Sequence, residues 1–250
     1  MSIVRDIGSA FRLLTIVPLG AAEGEHPVRW FPLVGWVFGA IGVGIAAAGR
    51  SLGADAGGAQ AFLCASVVVG AWALLCGMLH WDGLADSADG IGVRGDGAQR
   101  LEAMRGSATG AFGVTAIVLV ALLQASALAI LIAGGALWAI VAAPVIGRFG
   151  AAAALVYRHP ARSDGLAAHY AGAETPFGAL IMVLSLVPLV VLVPDWRSIV
   201  LGTGCVLASL AVPALFARRL GGITGDVLGA TVLLSETLLL ATAAALQGLL

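Results

Sequence analysis

Seven long apolar runs dominate this chain and leave it few ways to fold. A transmembrane helix needs ~20 mostly apolar residues. Runs of that kind fall at about Trp30–Gly49, Ala59–Leu79, Ala111–Ile132, Ala136–Val156, Phe177–Val193, Ile199–Phe216 and Val227–Leu249. The stretch Ile7–Leu19 is shorter and is interrupted by Arg12, so it is expected to lie in the interface or dip back. Only 11% of the residues are charged and 60% are hydrophobic, against ~25% charged in an ordinary soluble domain. Too little polar surface exists to cover a water-soluble particle. The expected fold is an all-α, polytopic integral membrane helix bundle forming one domain over residues 1–250.

The arginines test that layout. Segments between spans, numbered from the amino terminus, alternate: the odd ones hold Arg5, Arg12, Arg29, Arg94, Arg100, Arg105, Arg158, Arg162, Arg218 and Arg219, and the even ones only Arg50 and Arg197. Arg148 remains inside the fourth span. Cytoplasmic loops carry the arginine excess, which puts the amino terminus inside, the carboxyl terminus outside and an odd number of spans between them. A multi-pass protein of the cell inner membrane, working on its cytoplasmic face, is the expected setting.

All 13 basic residues are arginine, which excludes lysine Schiff-base chemistry and a phosphate-loop lysine. A net charge of −1 gives no basic face for nucleic acid. Cys64, Cys76 and Cys205 sit in apolar runs without ligand spacing and read as buried thiols. Small residues such as Gly35, Gly39, Ala40 and Gly42 let membrane helices pack closely.

The chemistry concentrates in HWDGLADSADG, His80 to Gly90. On a helix, Asp82, Asp86 and Asp89 share one face. Three like charges on one stripe repel, so a cation is expected among them, and carboxylate oxygens suit magnesium, manganese or calcium. The alternative is a solvated acidic loop at the membrane surface. A second segment, GGITGDVLGA, sets Asp226 between glycines before the last span. Asp226 is either a further metal or hydroxyl partner, or part of a helix start capped by Thr224 or Asp226. Glu236, inside the last span, faces the bundle interior as a functional group or as the partner of Arg148. Arg100, Arg105, Arg158 and Arg162 have the fork that matches phosphate. For Arg100 and Arg162 the topology bias is the better explanation. His80 is a base, a ligand or a structural residue. His80, the acidic stripe, the Met104–Gly113 stretch, Tyr157–Arg162 and Gly221–Asp226 all fall in odd-numbered segments, so a single site on one membrane face is expected.

These residues resemble the cobalamin synthase family, the adenosylcobinamide-GDP ribazoletransferases. The motif H-x-D-G-L-A-D-x-x-D-G is matched at His80–Gly90, GGITGDVLGA with Glu236 resembles the carboxyl-terminal signature, and Trp30–Gly39 resembles a first-span motif. The resemblance runs at intervals from about Phe11 to Glu236. It implies magnesium-dependent transfer of cobinamide phosphate from adenosylcobinamide-GDP to α-ribazole or its 5′-phosphate, with loss of GMP. The implied roles place magnesium on Asp82, Asp86 and Asp89, and metal or nucleophile on Asp226. Leaving GMP is given to Arg105 and Arg148, and further substrate contacts to His80, Thr224 and Glu236. Two departures stand out: Gly106 and Ala108 replace an acid and an arginine, and Ile16 replaces an arginine. Rival readings are a secondary transporter, whose site would lie near the midplane between repeats, and a CDP-alcohol phosphotransferase with differently spaced aspartates. Oligomerisation stays open.

Overall fold

Two helices rich in small residues form the centre of the bundle because their neighbours can approach their backbones. The computed structural model describes residues 2–19, 23–106, 108–193 and 195–247. In chain order the helices are α1 (Ser2–Leu14), α2 (Phe31–Ser51), α3 (Gly58–Leu75), α4 (Leu79–Gly92), α5 (Gly97–Ala103) and α6 (Ala111–Gly134). They continue with α7 (Leu137–Tyr157), α8 (Gly165–Tyr170), α9 (Pro176–Leu184), α10 (Val187–Leu192), α11 (Trp196–Leu220) and α12 (Gly225–Leu246). Six of them, α2, α3, α6, α7, α11 and α12, are long and apolar enough to cross a membrane. The fold is therefore a polytopic helical membrane protein.

Burial is uneven, and the unevenness gives the arrangement. The most apolar windows of α7 and α12 are 89% and 78% buried, whereas those of α3 and α11 are only 28% and 17% buried. α7 and α12 are the axis, and the others present broad lipid-facing sides. Gly35 and Gly39 of α2 make the closest approach possible: a Cβ on either would stand 2.6 or 2.8 Å from backbone atoms of α7, at Pro144 and Val141. In lipid, packing of this kind drives helix association.

The seventh predicted span, Phe177–Val193, is not one helix. It is divided into α9 and α10, with Ser185 and Leu186 between them. The segment still traverses the bundle. At one end, Glu174 receives a two-pronged ion pair from Arg29, just before α2 (Nη2–Oε1 2.7 Å, Nε–Oε2 3.2 Å). At the other end, Leu192 shares a recess with Gly134, Leu137 and Gln247, where α6 ends and α7 begins. With the six long helices it makes a seventh apolar segment running from one end of the bundle to the other. On this second face Arg50 donates to the carbonyls of Ile132 and Ala133 and so closes the end of α6, a favourable place for a cation.

The second predicted span, Ala59–Leu79, ends early. α3 stops at Leu75, and Gly77 (φ 58°) and Met78 (φ 62°) turn left-handed. Met78 N–H donates to Ala73 O and Gly77 N–H to Leu74 O, the bond pair that terminates a helix around a left-handed residue. Leu79 then begins a separate helix, α4, which carries the acidic motif. α1 occupies the same end of the molecule: Ile3 and Val4 are exposed while Asp6, Ser9, Ala10 and Leu14 are buried, and Ile16 N–H bonds to Leu75 O. It does not span. Leu249, given above as the end of the last span, lies outside the described residues.

Candidate active site

The site follows from one helix crossing. α4 lies against α12 where both carry glycine: a Cβ on Gly83 would stand 2.7 Å from Asp226 O, and one on Gly229 would stand 3.2 Å from His80 Cα. No side chain separates the two backbones there, so Asp82 and Asp226 open into one cavity of about 280 Å³. Its polar wall holds His80, Asp82, Arg162, Asp164, Thr224 and Asp226. Leu14 and Phe31 close one side, and Ala151 and Val232 lie deeper.

Thr224 sets the start of α12. Its hydroxyl accepts from Val227 N–H at 3.2 Å and donates to Asp226 Oδ2 at 3.2 Å. Thr224 is thus the helix cap, and Asp226, in the first turn, is turned toward the cavity. His80 is buried and its Nε2 finds no partner among the described residues. Burial first, then the nearby Arg148 charge, holds its imidazole well below the usual histidine range. It is neutral at physiological pH and able to accept or share one hydrogen bond.

Asp86 stands beside these groups, and its carboxyl is pushed up to about 6, by burial first and then by Asp82, Asp226 and Asp89, with Arg162 opposing. Crowded carboxylates raise one another in this way. Asp89 belongs elsewhere. It accepts Gly110 N–H at 2.6 Å and Gly113 N–H at 2.9 Å, so its carboxylate caps the amino end of α6. The expected three-acid magnesium set of Asp82, Asp86 and Asp89 is not gathered. Among the described residues no three His, Cys, Asp or Glu side chains are grouped closely enough to hold an ion. The acids that do face one another come from two helices, Asp82 and Asp86 from α4 and Asp226 from α12.

Arg148 and Glu236, offered above for leaving group and substrate, do not line the cavity. They pair with each other, both side chains 2% exposed, and the guanidinium also sits 4.1 Å from the ring centre of Phe38. Arg148 is one helical turn before Ala151, and Glu236 one turn after Val232, so the pair lies directly beneath the cavity floor. Arg105 reaches the rim from outside, with Nη2 3.7 Å from Asp164. Arg100 is occupied in closing α4, donating to Ile91 O at 2.6 Å and to Gly95 O at 3.1 Å. Gly106 and Ala108 are exposed on the segment between α5 and α6, and the Ile16 side chain is exposed over Gly77.

Arg162, weighed above as a phosphate-matching arginine but assigned to the topology bias, lies in this cavity, and Asp164, which the sequence did not single out, lies with it. Their segment is stitched to the turn before α12: Ala161 N–H donates to Ile223 O at 2.8 Å and Ile223 N–H to His159 O at 3.0 Å. The His159 ring meets Gly221 O at 3.0 Å. Arg162 Nη2 is thereby brought 3.4 Å from Asp226 Oδ2. This backbone bridge joins residues about sixty positions apart, and no local spacing announces it.

A family model described as cobalamin-5-phosphate synthase matches residues 6–244 of the chain. Relatives named adenosylcobinamide-GDP ribazoletransferase include one from Pseudomonas savastanoi pv. phaseolicola, 36% identical over 90% of each chain. Another, from Azorhizobium caulinodans, is 35% identical over 94% of this chain and 93% of its own. A third, from Bradyrhizobium diazoefficiens, is 35% identical over 98% of this chain and 95% of its own. No solved structure matches.

Proposed function

Because this chain belongs to the cobalamin-5-phosphate synthase family, and so is a membrane transferase of cobalamin synthesis, we propose that its cavity joins adenosylcobinamide-GDP to α-ribazole or α-ribazole 5′-phosphate. A ribose hydroxyl oxygen bonds to the cobinamide-side phosphorus, the bond from that phosphorus to the bridging oxygen breaks, and GMP leaves. Adenosylcobalamin, or its 5′-phosphate, is the product. The reaction belongs to the phosphotransferase class.

The observation that carries this reading is the charge of the cavity wall. Asp82, Asp164 and Asp226 face a single arginine, Arg162, and Asp86 stands behind them. A wall with that excess of acid repels a diphosphate by itself, so a divalent cation is needed for the donor to enter. The donor set fits magnesium, because it offers hard carboxylate oxygens from two helices and leaves room for waters and phosphate oxygens. Asp82 and Asp226, which line the cavity together, would hold it, with waters and phosphate oxygens supplying the remaining ligands. When bound, magnesium neutralises charge on the diphosphate and positions the reacting oxygens.

The remaining work falls to the chain. Asp226 and the free Nε2 of His80 orient the incoming hydroxyl. Thr224 fixes Asp226 at 3.2 Å. Arg105, at the rim, meets the guanosine side of the donor as it leaves. Leu14 and Phe31 exclude water from one flank. The buried Arg148–Glu236 pair supports the floor rather than touching substrate. The cavity opens on the arginine-rich face, so both substrates enter from the cytoplasm across the inner membrane surface.

The test is GMP release by purified protein supplied with adenosylcobinamide-GDP and α-ribazole, with magnesium or with EDTA. Turnover with magnesium and none with EDTA is expected. Product from CDP-alcohol donors, with none from adenosylcobinamide-GDP, would overturn the assignment.

A further inference from the structure

The least settled charge in the cavity is Arg162. Its Nη2 lies 3.4 Å from Asp226 Oδ2, longer than the ~2.7–2.9 Å of a closed charge-assisted bond. Its Nε is buried and has no partner among the described residues. A guanidinium has five N–H donors, and this one sits 19% exposed in the wall of the cavity. By contrast the Arg29 fork is closed on both oxygens of Glu174.

We propose that Arg162 is the recognition group for the diphosphate of the donor and that Asp226 holds it in reserve until Asp226 is neutralised. The proposal rests on the reading of the donor as a diphosphate. The main-chain bridge at residues 159–161 and 223 keeps the backbone under Arg162 fixed. Exchange of partners therefore needs only rotation of the side chain. Asp82, Asp164 and Asp226 line the cavity with Arg162, Asp86 stands near enough to feel its charge, and Arg105 is turned to Asp164 at the rim. In that surrounding, the guanidinium is spent on acid whenever no cation is present. A cation drawn to Asp226 releases Arg162 to phosphate oxygens, so cation and diphosphate each favour entry of the other. The empty site thereby rejects stray anions.

The arrangement predicts a gain from a loss. In EDTA, the full-length Asp226→Asn protein in detergent should bind inorganic pyrophosphate at least ~5-fold tighter than the starting protein, the equivalent of releasing one partly exposed ion pair. The measurement is isothermal titration calorimetry. Adding Arg162→Gln should remove the gain, and Arg162→Lys should restore only part of it, because an ammonium lacks the planar fork. Thermal unfolding of each variant checks that the chain remains folded. A purely structural ion pair predicts the opposite sign, since its loss would loosen the segment and weaken binding. No gain in Asp226→Asn, or a gain that survives in Asp226→Asn/Arg162→Gln, overturns the proposal. A gain in pyrophosphate affinity from a protein that makes no GMP with magnesium would sink the transfer assignment and leave the anion switch standing. GMP production without the gain would do the reverse.

Discussion

Replacing Gly83 by alanine tests whether the α4–α12 crossing sets the site. The added methyl would stand 2.7 Å from Asp226 O and 3.0 Å from Asp226 Cα. Both are backbone atoms, which no rotamer change can move aside. Ordinary contact begins near 3.4 Å, so the helices must separate by about 0.7 Å. Overpacking of this sort costs ~1–3 kcal/mol, which a bundle of this size survives. The chemistry is more sensitive, because the atoms struck belong to Asp226 itself and a misplacement of about 1 Å can cost ~100-fold in rate. Gly83→Ala should therefore lower GMP release by ~100-fold while the protein still unfolds cooperatively in detergent. Gly229→Ala is the graded comparison: its methyl would be 3.2 Å from His80 Cα, and a shift of a few tenths of an ångström accommodates it. Gly204→Ala meets nothing within 4 Å and should be silent. A Gly83→Ala protein that works within threefold of the starting protein would show that the crossing does not position the acids, and the argument for a two-helix site would fail.

Three further outcomes are expected. Asp82→Asn should lose at least ~100-fold of magnesium-dependent turnover, whereas Asp89→Ala should chiefly destabilise α6 by ~1 kcal/mol through loss of its cap; equal effects on the apparent magnesium affinity would contradict the separation drawn between them. Glu236→Gln should destabilise the bundle by ~3–5 kcal/mol, because a buried guanidinium is left unpaired, while Arg148→Met with Glu236→Leu should recover most of the loss. Thermal unfolding in detergent decides that one, and a double variant as unstable as the single would count against a mainly supporting role. Asp195 accepts Ser198 N–H and Arg197 N–H, and these bonds, that from Ser198 first, hold its carboxyl below the usual range. A depressed carboxylate stabilises above its unfolded value of ~3.9 and loses that contribution as pH falls through its folded value. The gap in melting temperature between the starting protein and Asp195→Ala should be present at pH 6 and shrink by pH 3. An unchanged gap would refute the link.

The spans were legible because a long apolar run is a signal carried by composition alone. The break at Ser185–Leu186 was not, since an average over ~20 residues hides a joint inside it. The start of α4 at Leu79 was missed for a related reason: Leu75, Cys76, Met78 and Leu79 continue the apolar run although the backbone has turned. Within the site, Asp82, Asp226, His80 and Thr224 announced themselves by motif. Spacing also put Asp89 on their stripe, but it is seven residues from Asp82, about 10 Å along a helix. That distance carries it to α6 instead of the cavity. Arg148 and Glu236 were readable as partners, since a charge inside a span needs a counter-charge. Arg162 was readable only as one phosphate-matching arginine among four. Any arginine in a short loop serves orientation, and only the bridge at Ile223 distinguishes this one.

The divided crossing has a consequence for the surrounding lipid. Pro176–Leu192 is 17 residues long, about 25 Å if helical throughout, against ~30 Å for a typical hydrocarbon core. The longer helices beside it, such as the 25 residues of α11, can tilt to fit, but this one has no length to spare. Bilayer thickness must therefore dip on that flank. Acyl chains of 14 carbons should dress the protein with less elastic cost than chains of 20, and the thinned flank is the one where Arg29 and Glu174 tie the short crossing to the helix that walls the cavity.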